Sequence, residues 1–124
     1  MEGNQAALVA ALEDYRAGTT ILDGHFCVLD SSGSISEIPT AIFKSIAPSG
    51  IILVHARAEE VQERLQQRDG HSESLDNIHT LARVEAARAA IVARDLGCPL
   101  LIWSAAQGQA VAVAFARKCL AETP

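Results

Sequence analysis

Residues 46–70 read IAPSGIILVHARAEEVQERLQQRDG, and the fold turns on how that stretch divides. Pro48-Ser49-Gly50 stops whatever precedes it. Ile51 to His55 is then a continuous apolar run of strand length, the pattern of a strand covered on both faces. From Ala58 to Arg68 the spacing becomes helical, charged on one side with Val61 and Leu65 on the other. Asp69-Gly70-His71-Ser72 breaks this helix in a short polar loop.

Toward the carboxyl end the same alternation continues. Ser74 to Leu96 is the longest helix, with Leu75, Ile78, Leu81, Ala82, Ala86, Ala89, Ala90 and Ala93 forming a stripe of small residues for close packing. Gly97 ends it. Pro99 to Trp103 (PLLIW) is another buried strand, and a last helix starts at Gln107 or Gly108 and runs to Leu120. In the other direction, Pro39 opens a short helix through Ile46, preceded by a turn at Asp30-Ser-Ser-Gly-Ser. Thr19 to Leu29 (TTILDGHFCVL) is β-branched and aromatic and reads as a buried strand interrupted near Asp23-Gly24. Asn4 to Ala17 has helical spacing in Ala7, Leu8, Ala11, Leu12 and Tyr15, with Asn4 as N-cap and Gly18 at the end. Helices alternating with buried strands predict an α/β fold, three αβα layers around a mainly parallel sheet.

Composition sets the outer limits. With 124 residues, 49% hydrophobic and 4% aromatic, the chain suits one domain spanning residues 1–124, and there is no room for a second core. No apolar stretch reaches the roughly 18 to 20 residues of a membrane span, and MEGNQAAL lacks the features of a signal peptide. A formal net charge of -5 argues against duplex DNA as a partner. Cys27, Cys98 and Cys119, odd in number and without metal-like spacing, read as reduced, partly buried thiols of a cytoplasmic compartment.

Ligands of open parallel sheets sit beyond the carboxyl ends of the strands. Three loops meet that condition: Asp23-Gly24-His25, His55-Ala56-Arg57 and Ser104-Ala105-Ala106. Asp23 is costly to bury without a partner; Mg²⁺ beside a phosphate is one such partner, and a turn in which Asp23 caps its own backbone is the other reading. His25 follows on the same side of a strand, as a ligand or as a hydrogen-bonded core histidine. Arginine outnumbers lysine eight to two, and its planar fork suits phosphate oxygens. Arg64 and Arg68 share a helix face four residues apart, where they either flank an anion or pair with Glu59, Glu60 and Glu63. No G-x-x-x-x-G-K-[ST], G-x-S-x-G, H-E-x-x-H or C-x-x-C occurs in the 124 residues.

The order of these segments resembles the carboxyl-terminal two-thirds of a P-loop nucleoside monophosphate kinase. The likeness is to archaeal-type adenylate kinases and related AAA-family ATP-binding proteins, over about residues 5 to 120. ILDGHFCVLDSSGSISEIP resembles the aspartate-bearing strand, its turn and the proline-led helix. IAPSGIILVHARAEEVQERLQQRDG resembles the next strand and the arginine-rich helix leading to the lid. SLDNIHTLARVEAARAAIVARDLGCPLLIW resembles the post-lid helix and last strand.

The resemblance implies ATP and Mg²⁺ as cofactors and phosphoryl transfer to a nucleotide or small molecule. Asp23 would stand near Mg²⁺, through water, and His25 near the nucleotide. Arg64 and Arg68 would contact ATP at the lid, Arg83 would reach the transferring phosphoryl group, and Ser104 and Ala105 would lie beside adenine. The lid Asp69 to Ser72 lacks the extra arginines common in archaeal adenylate kinases. Such kinases place a P-loop strand between the strands matching Thr20–Leu29 and Ile51–His55, and the chain is expected to start after it. The sheet would then have a central gap between two unpaired edges. Either the two strands close together, or a second copy or another chain fills the slot, or the sequence is a fragment of a longer product. Without the P-loop, transfer is expected to be absent or very poor. The rival reading is a non-catalytic, degenerate kinase fold acting through dimerisation or a partner chain.

Overall fold

The computed structural model describes residues 19–121 apart from 30, 31, 33, 71 and 72. The helix expected at Asn4–Ala17 lies outside the described residues, as does the second half of the polar loop at 69–72. The described chain runs β1 (Cys27–Leu29), β2 (Ile35–Glu37), α1 (Thr40–Ile46), β3 (Ile51–Val54), α2 (Ala58–Asp69), α3 (Leu75–Leu96) and β4 (Leu100–Trp103). A 3₁₀ turn (Ala105–Gln107) and α4 (Gln109–Ala121) complete it.

The apolar run at Ile51 pairs in parallel with the one at Leu100, in the register Ile51↔Leu100 to Val54↔Trp103. The Ile51 N–H donates to the Pro99 carbonyl at 2.9 Å and the His55 N–H to the Trp103 carbonyl at 2.7 Å. Backbone groups alternate sides along a strand, so those of Ile52 and Val54 point away from β4. Side chains alternate between faces as well. Ile51 is buried against Ala89, Val92 and Ala93 of α3, whereas a Cβ at Gly50 would overlap the Cys119 sulfur of α4. Helices therefore cover both faces of the parallel pair, and the fold is α/β with the layering of a P-loop kinase.

The helix stops are local chemistry. Ser74 caps α3, its Oγ accepting the Asn77 N–H at 3.1 Å. At the other end Gly97 adopts φ 67°, its N–H reaching the Arg94 carbonyl at 3.2 Å and that of Cys98 the Ala93 carbonyl at 3.0 Å. α3 is the spine of the core. Its small residues let Phe26, Cys27 and Ile51 approach closely, and Phe43, Leu53, Leu96 and Leu100 pack around them. The rings of Phe26 and Phe43 stack with centroids 4.9 Å apart, joining β1 to α1.

The amino-terminal half departs from the sequence reading. The strand expected at Thr19–Leu29 is confined to Cys27–Leu29, while residues 19–25 are exposed and without regular structure. Asp23-Gly24 interrupts the segment, and Ile21 is 92% exposed. β1 pairs instead with β2, antiparallel, in the register Cys27↔Glu37 to Leu29↔Ile35. β2 had not been foreseen. β1–β2 and β3–β4 form two separate two-stranded sheets, so β1 is not hydrogen-bonded to β3 as a neighbouring strand of one continuous sheet would be.

Candidate functional site

A cavity of about 520 Å³ separates the two sheets. Phe26, just before β1, Val28 of β1, Ile42 and Phe43 of α1, and Ile51 to Val54 of β3 line it, and its polar residues are Asp23, His25 and Glu85. β3 thus presents the backbone of Ile52 and Val54 to an apolar slot.

The second cavity, about 500 Å³, lies at the carboxyl end of β3. His55 and Arg57 follow the strand, Arg64 comes from the second turn of α2, and His79, Leu81 and Glu85 come from α3. The Arg57 Nε stands 3.9 Å from Glu59 Oε2, and Arg64 Nη2 stands 3.7 Å from Glu60 Oε2. These pairs are long and solvent-exposed, worth at most a few tenths of a kcal/mol each, so both guanidinium groups can turn to an anion. Two arginines, Arg57 and Arg64, and two carboxylates, Glu59 and Glu85, line the chamber, with the imidazoles of His55 and His79 beside them.

Arg68 is placed elsewhere. It borders a smaller cavity of about 320 Å³ between α2 and α3. Its Nε and Nη2 donate to the two Asp69 oxygens at 2.9 and 3.0 Å. That hydrogen bond, then the Asp69 charge, raises the affinity of the guanidinium for its proton. Arg83 is exposed on α3 and lines none of these three cavities. Ser104 caps the 3₁₀ turn, its N–H donating to Gln107 Oε1 at 2.8 Å, and Ala105 is exposed beside it. Asp23 and His25 sit together at the first cavity, both exposed. Of the sequence-expected residues, Asp23, His25, Arg64 and Arg68 are divided among three chambers, and Arg83, Ser104 and Ala105 line none of them. The first two chambers share Leu53, Val54 and Glu85.

Two residues outside the expected set organise this region. Glu85 Oε1 accepts the Phe26 N–H at 3.3 Å and lies 3.4 Å from His25 Nδ1. One turn along, Arg88 Nη2 donates to the Ile38 carbonyl at 3.0 Å and to Thr40 Oγ1 at 2.7 Å. The signal for both was their position: charged residues set within the small-residue stripe of a packed helix. Among the described residues, no group of three or more metal-ligating side chains converges. Asp23 and Glu85 at the slot are hard oxygen donors, suited to an ion held mainly by water and phosphate rather than by a protein cage. Burial pushes the Cys27 thiol up, with Glu85 and Glu37 adding to the effect and Arg88 opposing it. None of the three cysteines is in a disulfide, and no described helix is long and apolar enough to cross a membrane.

Comparison with known proteins adds one finding. A family model described as an AAA domain matches residues 2–82, which include β1 through the first turns of α3 and every cationic residue of the second cavity. No curated protein matches the chain.

Proposed function

Because the chain belongs to the AAA-domain family, a family of P-loop nucleotide-binding type, we propose that it is a kinase-like domain. Its nucleotide phosphates occupy the second cavity. One observation carries the reading: His55, Arg57, Arg64 and His79 line a single chamber at the carboxyl end of the parallel pair, where open α/β sheets bind ligands. Arg57 and Arg64 engage phosphate oxygens through their forked N–H groups. Asp23 and His25, at the mouth of the adjoining slot, face the same ligand, with Asp23 holding Mg²⁺ through water. The Mg²⁺ ion supplies neutralisation of charge on the phosphate oxygens. Arg68, bound to Asp69 at the third cavity, and Arg83, exposed on α3, stand outside this chamber, and Ser104 and Ala105 border the base.

Phosphoryl transfer from ATP to a nucleotide or small molecule further needs a phosphate-cradling loop and its lysine, which these residues do not supply. The slot between β1 and β3 accepts the strand that carries that loop, from the same or another polypeptide. The test is the melting shift with Mg-ATP, with and without a supplied segment consisting of an apolar strand and a G-x-x-x-x-G-K-[ST] loop. Stabilisation that grows when the segment is present supports the reading; no shift in either sample overturns it.

A second reading is an interaction module that uses the same slot without catalysis. The outward backbone of Ile52 and Val54, residues 37% and 66% exposed, favours strand addition. Sedimentation separates the two: an oligomer that forms with rising concentration and survives Arg57→Ala and Arg64→Ala supports the module.

A further inference from the structure

Among the described residues, Glu85 is the one charged residue that lines both larger cavities. Its side chain is only 21% exposed. On one side it holds the Phe26 N–H and faces the His25 imidazole, immediately after Asp23-Gly24. On the other it borders the chamber of Arg57, Arg64, His55 and His79. A polyanion entering that chamber meets the Glu85 carboxylate as a like charge in a half-buried setting, where repulsion is weakly screened. The carboxylate can lower its energy by moving toward the Phe26 N–H it already accepts and the His25 ring beside it.

We propose that Glu85 is a positioning residue that couples the two cavities: an anion among the arginines drives its carboxylate onto the Phe26 N–H and His25, drawing the Asp23–His25 segment to α3. The inference rests on the phosphate reading of the second cavity. The ligand pays a repulsive penalty at Glu85 and in return orders the aspartate beside it, so weaker binding and correct placement of Asp23 have one cause.

Amide-resolved NMR of the full chain, titrated with inorganic tripolyphosphate, tests this. In the wild type, amides from Arg57 to Arg64 and those from Asp23 to Phe26 shift with one midpoint. In Glu85→Gln, which keeps an acceptor and loses the charge, the Arg57–Arg64 midpoint moves about threefold tighter and the Asp23–Phe26 response disappears. Unchanged coupling, or weaker binding as a merely structural role predicts, overturns the inference. Hydrogen exchange at the wild-type Phe26 amide gives a check that needs no variant. It slows about tenfold at saturation if the bond tightens, and an unchanged rate overturns the coupling. A wild type with no shift at Arg57–Arg64 fails the phosphate reading itself, and is recognised as such.

Discussion

Arg88 shows how a charge can serve the fold. Its side chain is 13% exposed, its Nη2 group joins the Ile38 carbonyl to Thr40 Oγ1, and its Nε is buried without a hydrogen-bond partner. Glu37 Oε2, 3.7 Å away, supplies a longer-range counter-charge. Removing the guanidinium strands a carbonyl and a hydroxyl, so Arg88→Met is expected to cost about 1 to 3 kcal/mol, read as a lower melting temperature with nucleotide-independent loss. Arg88→Lys is expected to restore part of it, because one nitrogen makes both bonds and an ammonium carries three donors, on a shorter side chain. Cys27 gives a pH prediction. A thiol pushed up in the fold binds its proton more tightly than in the unfolded chain, so its contribution to stability is full below the ordinary thiol range and lost above it. The melting temperature is expected to fall between about pH 8 and about pH 10, and Cys27→Ala to reduce that fall. At this scale the sequence marked Asp23, His25 and Arg64 by type and spacing. Glu85 stands within the small-residue stripe, but that position alone does not show that its carboxylate will meet a backbone N–H 59 residues away.

Elements whose ends are written in local chemistry were legible to within a residue or two. Ser74 and Gly97 bound α3, Gly70 ends α2, and the two apolar runs are β3 and β4. β1 and β2 were not, since a three-residue strand owes its existence to a partner and not to its own propensity. Two backbone positions make this quantitative. Ala47 closes α1 in the left-handed region, φ 54°, with its N–H on the Phe43 carbonyl. Glycine carries no Cβ penalty there, so Ala47→Gly is expected to raise stability by up to about 1 kcal/mol, measured by denaturant midpoint. Gly50→Ala has the opposite sign. Its new methyl group meets the Cys119 sulfur directly, and separating α4 from the sheet is expected to cost about 1 to 3 kcal/mol.

For the whole molecule, the consequence of this topology is a cleft with a strand on either side. The parallel pair and its two helical faces followed from alternating pattern. The antiparallel hairpin and the split into two sheets did not, because pairing across the slot is a long-range matter that periodicity does not encode. The same split places an apolar slot beside a chamber that holds Arg57 and Arg64, so the proposed strand acceptance and phosphate binding would be neighbours, with Glu85 on the shared wall. The central claim is that this chamber is the phosphate site. It is tested most directly by calorimetric titration of Mg-ATP into the chain carrying the strand-and-loop segment, beside the Arg57→Ala/Arg64→Ala variant under the same conditions. The account predicts a saturable isotherm whose affinity drops at least about tenfold in the variant, the loss of two charge-assisted contacts. Superimposable isotherms for the two proteins would contradict it.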